Sequence, residues 1–300
     1  MSVNKLILGD NLEIMKTMES ESIDLIYLDP PFFSNRNYEV IWGDKGEIRS
    51  FEDRWAGGIE HYIAWLKERV EQMYRLLKPT GTIFLHCDWH ADAYIRVDIL
   101  DKIFGMKNFQ NAIDWCYNVG GKSKNRFARK KDTIFWYSKS NKWTFNGNEI
   151  GIQRDTGSKS LGGKIGLDED GRPYQDKIVR VTGKIYRYYL DENKIPEDWW
   201  VDINSIQSGS KERIGYPTQK PEALLERIIL CASHQGDIIL DPFVGGGTTV
   251  VVADRLQRRW VGIDQSVQAI KVSEMRMNKH FSSWSLSFST QLHKYDYQVL

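Results

Sequence analysis

Cysteine is nearly absent from this chain. Three occur in 300 residues, and Cys87, Cys116 and Cys231 lie too far apart to form a paired framework. That fits a reducing cytosol and argues against structural zinc. Long apolar runs are missing too: none approaches the roughly 18 residues that a membrane helix needs. The opening MSVNKLILGDNLE turns acidic too soon for a secretory signal. A cytoplasmic protein without a membrane partner is therefore expected. No internal repeat and no low-complexity tract interrupts the chain, which excludes solenoids and linker-rich architectures.

Net charge is also scarce, at +1, but its distribution is uneven. Between Trp115 and Lys220 there are 20 Lys and Arg against 13 Asp and Glu, so that stretch carries +7 and the remainder −6. Within YNVGGKSKNRFARKKDTIFWYSKSNK eight basic residues face one acid. A basic block in an otherwise acidic chain points to a nucleic-acid surface, although a solvated loop face has the same composition. The 11 tryptophans and 14 tyrosines suit either core packing or stacking on bases. With 41% hydrophobic and 27% charged residues, the composition is that of a soluble enzyme near the size where one core stops growing.

Short apolar runs alternate with helical patterns, the mark of a parallel α/β sheet. KLILG reads as a strand, NLEIMKTM as a helix and IDLIYLD as a strand. YIAWLKERVEQMYRLLK is a helix stopping before Pro79, and GTIFLHC a strand. AYIRVDILDKIFG is a helix, and NAIDWCY and DTIFWYS are strands flanking the basic loop, 117–131. Residues 140–216 lose periodicity and read as an insertion. Order resumes with helix KPEALLERIILCAS, strand DIILD, turn PFVGGG, helix TTVVVADRLQ, strand RRWVGID and helix QSVQAIKVSEMRMN. The catalytic domain is thus expected over 1–139 and 217–283. WSLSFS, in a tail over 284–300, alternates like an edge strand.

Two places carry chemistry. DIILDPFVGGGTTVVVADRLQRRWVGID is one βαβ unit, with a strand ending at Asp241, a glycine turn, a helix from Thr248, and a second strand ending at Asp264. An acid about 20 residues past such a turn is placed to accept from ribose hydroxyls, and the helix N-terminus favours an anionic group. The spacing is not GxGxxG and no P-loop lysine is present, so an adenosine-containing ligand fits better than a dinucleotide. A purely packing turn remains open. The second place is DPPF, Asp29, Pro30, Pro31 and Phe32. The prolines hold the chain extended as it leaves the sheet, leaving one acceptor side chain, free carbonyls and an aromatic face at the edge where such folds bind ligands. That bracket suits a planar group bearing NH₂; a proline turn beside a core Phe is the plainer alternative. HCDWH carries two histidines four apart, too ambiguous to imply a metal, and none is expected.

DPPF, PTQKP and DPFVGGGTT, in that order, closely resemble the motifs of S-adenosylmethionine-dependent DNA amino-methyltransferases of the permuted β group, over roughly residues 1–280. The resemblance implies a Rossmann-like, circularly permuted α/β fold with a mostly parallel sheet, one antiparallel hairpin strand, and a target-recognition insertion over 140–216. It places Phe243, Gly245 and Gly247, with Asp241 beside them, around the methionine part of the cofactor. Thr248 and Thr249 would help hold the amino acid moiety, Lys220 would pair with the methionine carboxylate next to Thr218, Asp264 would bind the ribose, and Asp10 the adenosine end. Asp29 to Phe32 match the catalytic tetrad in the form usually met in adenine-modifying members, with Phe32 where Tyr is more frequent. Double-stranded DNA is the implied partner, with Lys122, Lys124, Arg126, Arg129, Lys130 and Lys131 as phosphate contacts and Asn35 and Arg36 beside the flipped base. A homodimer, a cognate restriction endonuclease and a nucleoid-associated setting of prokaryotic or viral type complete the expectation. Competing readings are the same chemistry on the cytosine amino group, RNA or protein-glutamine methylation, and a non-catalytic nucleotide-sensing DNA-binding module.

Overall fold

The computed structural model describes residues 4–33, 58–118, 123–153, 165–216 and 218–285, the last five by their backbone only; Asn35, Arg36, Lys122, Pro217 and 286–300 lie outside the described residues. The chain divides into two compact units, Met1–Phe145 with Asp198–Leu300, and Asn146–Glu197.

In the first unit the apolar runs become β1 (Lys5–Leu8), β2 (Ile23–Leu28), β3 (Leu77–Cys87), β4 (Phe109–Cys116) and β5 (Lys131–Ser138). A two-residue strand (Trp199–Trp200) and two late strands (Ile238–Asp241 and Arg259–Asp264) complete it; with three strands of the second unit counted in chain order these are β9, β10 and β11. Among the described residues they form one sheet in the order β1-β11-β10-β2-β3-β5-β4-β9. Every pairing is parallel except those of β5, which runs antiparallel to both β3 and β4. The single antiparallel hairpin strand of the sequence reading is present. So is the permutation: β1 and β2 are not neighbours, because β11 and β10, from the far end of the chain, lie between them.

Among the described residues the α-helices are α1 (Asn11–Thr17), α2 (Gly58–Leu76), α3 (92–103), α4 (Glu222–Ala232), α5 (Thr248–Arg255) and α6 (Val267–Ser285). α2 has apolar residues at helical spacing and buries Tyr62, Leu66, Val70, Met73 and Leu76. With Met15 of α1 and Ile95, Ile99 and Leu100 of α3, these cover the sheet face carrying Ile26, Leu28, Ile83, Leu85, Val261 and Ile263. Each such buried aliphatic is worth roughly 1.5–3 kcal/mol. α5 packs on the opposite face: a Cβ on Gly262 would lie 3.0 Å from Val250. Helices therefore cover both faces, as parallel sheets require.

Four sequence expectations are corrected. α2 ends at Leu76, but β3 begins at once and passes through Pro79, with a register shift against β2 between Ile23 and Leu25. α3 contains a π-helical run over Ile95–Leu100 that apolar spacing does not reveal. The insertion returns earlier than residue 216: β9 pairs with β4 through Asp114↔Trp199 and Trp115↔Trp200, so the chain rejoins the first unit from Asp198. Finally, α6 continues through Ser285, so Trp284 and Ser285, expected to start an edge strand, are helical.

The second unit is built on an antiparallel sheet of β6 (Ile165–Leu167), β7 (Pro173–Ile178) and β8 (Ile185–Tyr189). Tyr174 and Tyr189 meet edge to face across β7 and β8, and Arg187 and Arg172 lie over them, each also paired with an acid, Asp176 and Asp191 respectively.

Candidate active site

Because β2, β10 and β11 are parallel, the residues that end or follow them share one edge. Asp29 follows β2, Asp241 ends β10 and Asp264 ends β11. The pairing of β10 with β2, Ile239↔Leu25 and Leu240↔Ile26, brings DPPF beside the glycine turn although more than 200 residues separate them in sequence. Asp24 helps set that register by accepting from the Ile238 N–H at 2.9 Å.

The turn is held from four directions. Asp264 accepts from the N–H groups of Gly245 and Ser266, each at 2.9 Å. Asp241 accepts from the Phe243 N–H at 3.0 Å and from the Thr249 hydroxyl. From α6, Ser273 donates to the Gly245 carbonyl at 2.8 Å and Arg276 to the Gly246 carbonyl at 3.2 Å and the Thr248 hydroxyl at 2.8 Å. From α1, Asn11 donates to the Pro242 carbonyl at 2.7 Å, and is itself held by Arg69. Gly245 and Gly247 have φ of 48° and 76°, conformations that side chains resist. Phe243 lies 5.8 Å from the Trp65 ring.

Burial pushes the Asp241 carboxyl up to about 7, against the hydrogen bonds from Thr249 and Phe243 that hold it down; the charges of Asp29 and Asp264 add to the rise. Three carboxylates thus repel one another around a turn rich in backbone polar groups. This acceptor set suits a ligand that brings positive charge and hydroxyls, and a sulfonium nucleoside such as S-adenosylmethionine has both.

Several predicted site residues make contacts within the protein. Lys220, assigned to a methionine carboxylate, pairs with Asp29; the two side chains are 12% and 17% exposed. Its ammonium lies 5.3 Å from the Phe32 ring centroid, and its carbonyl accepts from Thr248 at 3.2 Å. Lys220 therefore links the glycine turn directly to DPPF. Thr248 and Thr249 are buried, their hydroxyls engaged within the protein. Asp10 caps α1 by accepting from the Leu12 N–H at 2.8 Å and pairs with Arg69 at 3.1 Å, while staying at the same edge as Asp264. Thr218 is exposed. Of the basic candidates, Lys124, Arg126 and Arg129 are exposed and Lys130 half-buried, but Lys131 is engaged with Asp114 at 2.7 Å, so its charge is largely answered within the protein. Arg129 lies over the Trp89 ring at 3.4 Å.

Sequence reasoning missed His86, Asp132, Tyr27 and Tyr117, which form a hydrogen-bonded group beside Phe32, and Arg276 with Glu222, which support the turn. HCDWH was the one sequence signal for the first group. Arg276 sits in an ordinary helical pattern and had none.

A mostly parallel, permuted sheet with a glycine turn facing a DPPF bracket defines a Rossmann-like methyltransferase. Residues 23–275 match the family model described as DNA methylase. The type II methyltransferase M.HpaI of Haemophilus parainfluenzae is 32% identical over 282 residues, covering 93% of this chain and 76% of that protein. The DNA adenine methyltransferase YhdJ of Escherichia coli is 30% identical over 283 residues, covering 93% and 85%. Among solved structures, the M1.HpyAVI–SAM complex aligns with a TM-score of 0.55 at 21% identity, over 91% of this chain and 98% of that one. The PvuII DNA methyltransferase (cytosine-N4-specific) aligns at 0.60 and 17%, over 95% and 93%. This chain belongs to the DNA methylase family.

Proposed function

We propose that the protein methylates the exocyclic amino nitrogen of adenine at a specific site in duplex DNA, with S-adenosylmethionine as methyl donor. The observation that carries this reading is the adjacency of Asp29 and the glycine turn on neighbouring parallel strands, bridged by Lys220. When bound, the cofactor supplies a methyl group activated by its sulfonium. The chain's own residues do the rest. Asp29 carboxylate and Pro30 carbonyl accept the two amino hydrogens, which draws the delocalised lone pair toward the nitrogen. Phe32 stacks on the extruded base, offsetting part of the few kcal/mol that leaving the duplex costs. Lys220 engages only one oxygen of Asp29, which leaves the other to accept from the amine. Fixed placement of two reactants lowers the barrier further. Asp264 accepts from the ribose, with Asp10 near the adenosine end.

The Asp-led tetrad and the similarity to YhdJ favour adenine over cytosine. Duplex DNA incubated with tritiated cofactor is expected to acquire label, with N6-methyladenine found on digestion and mass spectrometry; N4-methylcytosine would move the substrate assignment, and no label would support a non-catalytic binding module. Long-read sequencing of DNA from expressing cells gives the target site. The second unit reads the target sequence, the enzyme works in the cytoplasm, and a restriction endonuclease of the same specificity is its natural companion.

Exposed Lys124, Arg126 and Arg129 hold phosphates. Changing all three to Gln is expected to weaken duplex binding and to flatten the dependence of log affinity on log salt by about 0.9 per lost contact. Cofactor affinity, measured by calorimetry, should not move.

Asp241 makes the protein pH-sensitive. Its folded pKa lies above the unfolded value, so its contribution to stability is fully present below about pH 4 and is lost as pH rises through about 7. Asp241→Asn is expected to abolish this slope in melting temperatures measured from pH 5.5 to 8. A sulfonium nearby favours the ionised form, so cofactor affinity of the unaltered protein is expected to rise about tenfold from pH 6 to 8, and that of Asp241→Asn to stay flat.

A further inference from the structure

HCDWH places His86 at the end of β3, fully buried. Both ring nitrogens are engaged, Nδ1 with the Tyr27 hydroxyl at 2.9 Å and Nε2 with Asp132 Oδ2 at 3.1 Å. The second Asp132 oxygen accepts from the Tyr117 hydroxyl at 3.0 Å. The group thus crosses four neighbouring strands, β2, β3, β5 and the end of β4. An imidazole tied at both nitrogens cannot flip or tilt freely. Trp115 closes one side of it edge-on, at 5.7 Å and 90°. On another side lies Phe32, its centroid 5.9 Å away and inclined by 42°. Asp132 keeps its charge although burial opposes this, because His86, Lys220 and Tyr117 all favour the ionised form. At the other end, the Tyr117 N–H donates to the Lys130 carbonyl at 3.0 Å, the last rung before the basic loop.

We propose that His86 and Asp132 are positioning residues for methyl transfer: with Tyr27 and Tyr117 they form a hydrogen-bonded floor that fixes the plane of Phe32 and ties it to the neck of the basic loop. The inference rests on the reading that Phe32 carries the extruded base. Its physical basis is that stacking on Phe32 sets where the amino nitrogen sits relative to the methyl donor. Near-attack alignment is steep, and a displacement of about 1 Å costs on the order of a hundredfold in rate. A ring packed against a freely rotating neighbour holds that alignment poorly; one packed against a doubly tethered imidazole holds it well. Engagement of phosphates by the loop bears on the same strands that carry Asp132 and Tyr117, so the floor also connects DNA contact to base placement.

The test uses duplex DNA carrying 2-aminopurine at the target base, with single-turnover methylation on the natural base alongside. Asp132→Ala is expected to slow methyl transfer about 10- to 100-fold and to brighten the 2-aminopurine complex, as stacking loosens. KM for duplex and the cofactor dissociation constant should change by less than about twofold. Asp132→Asn, which can still accept from His86, is expected to recover most of the rate. Tyr117→Phe loses one hydroxyl from a half-buried ring and carries the test if Asp132→Ala melts early; a fall of about three- to tenfold in rate is expected. Phe32→Ala is the reference. If it alters neither fluorescence nor rate, the stacking assignment is wrong and the floor has no base to place. If Phe32→Ala impairs both while Asp132→Ala and Tyr117→Phe stay within twofold of the unaltered enzyme, or if Asp132→Asn is no faster than Asp132→Ala, the positioning role is overturned.

Discussion

Asp29→Ala is expected to slow methyl transfer by about a hundred- to a thousandfold while leaving cofactor affinity within about threefold. The carboxylate sits at the end of β2, 17% exposed, with Lys220 as its partner. Its proposed role in the reaction is to accept from an amine whose lone pair is otherwise spread over the ring. That interaction strengthens as the nitrogen pyramidalises, so its loss falls on kcat rather than on substrate binding. The proposed cofactor site is the turn after β10, which Asp264, Ser273, Arg276 and Asn11 hold without help from Asp29. Truncation leaves Lys220 without its carboxylate, so melting curves must accompany the kinetics. Asp29→Asn keeps one acceptor beside Lys220 and should fall between the two. Single-turnover labelling of duplex DNA reads the rate and calorimetry reads the affinity; an Asp29→Ala enzyme within tenfold of full activity would remove Asp29 from the chemistry.

Gly247→Val has the second largest expected effect, and on stability and cofactor together. Gly247 has φ of 76°, a left-handed conformation that a β-branched residue strongly resists. A Cβ there would lie 2.7 Å from Ser273 Oγ, 2.9 Å from its Cβ and 3.0 Å from its Cα. The last of these is backbone in α6 and cannot swing aside, so α6 or the turn must move. Because Ser273 and Arg276 hold the Gly245 and Gly246 carbonyls from that helix, either movement opens the turn. Strain of this kind costs about 1–3 kcal/mol and overpacking a similar amount. The melting temperature is expected to fall by roughly 5–10 °C, with cofactor affinity lowered at least tenfold. Gly247→Ala should lie between, since it keeps the φ strain and most of the clash without the second branch. Gly236, with φ of 84° but nothing within 4 Å of its Cβ, is the control: Gly236→Ala costs only the conformational part.

Much of this was legible in the sequence because it is local. Strand–turn–helix order follows from apolar spacing; Asp29 and Asp241 could be placed at strand ends because Pro30 and Pro242 follow them, and Asp264 because a helical pattern resumes after it. What was not legible depends on register between distant segments. Lys220 reaches Asp29 across 191 residues, a pairing that depends on how the chain before α4 lies against β2. His86 was given no role, since nothing in HCDWH shows that Tyr27 and Asp132 flank it on the adjacent strands. The boundary at Asp198 escaped because β9 is two residues long, too short for any period. Lys131 belonged to a basic run in sequence, yet strand pairing sets it opposite Cys116, from where its ammonium reaches Asp114 on the same strand.

The insertion of β11 and β10 between β1 and β2 also sets a clock for synthesis. A ribosome adding about 5–20 residues per second needs roughly 10–40 s to pass from Leu28 to Ile239. Throughout that interval the acid-bearing strand has no neighbour on the side that β10 later fills, and no place for a methyl donor exists beside it. A nascent or truncated chain can therefore hold the acceptor for the amine without ever modifying a chromosome, and its open edge invites β-pairing with other chains. Activity begins only once the late strands have zipped into the middle of the sheet.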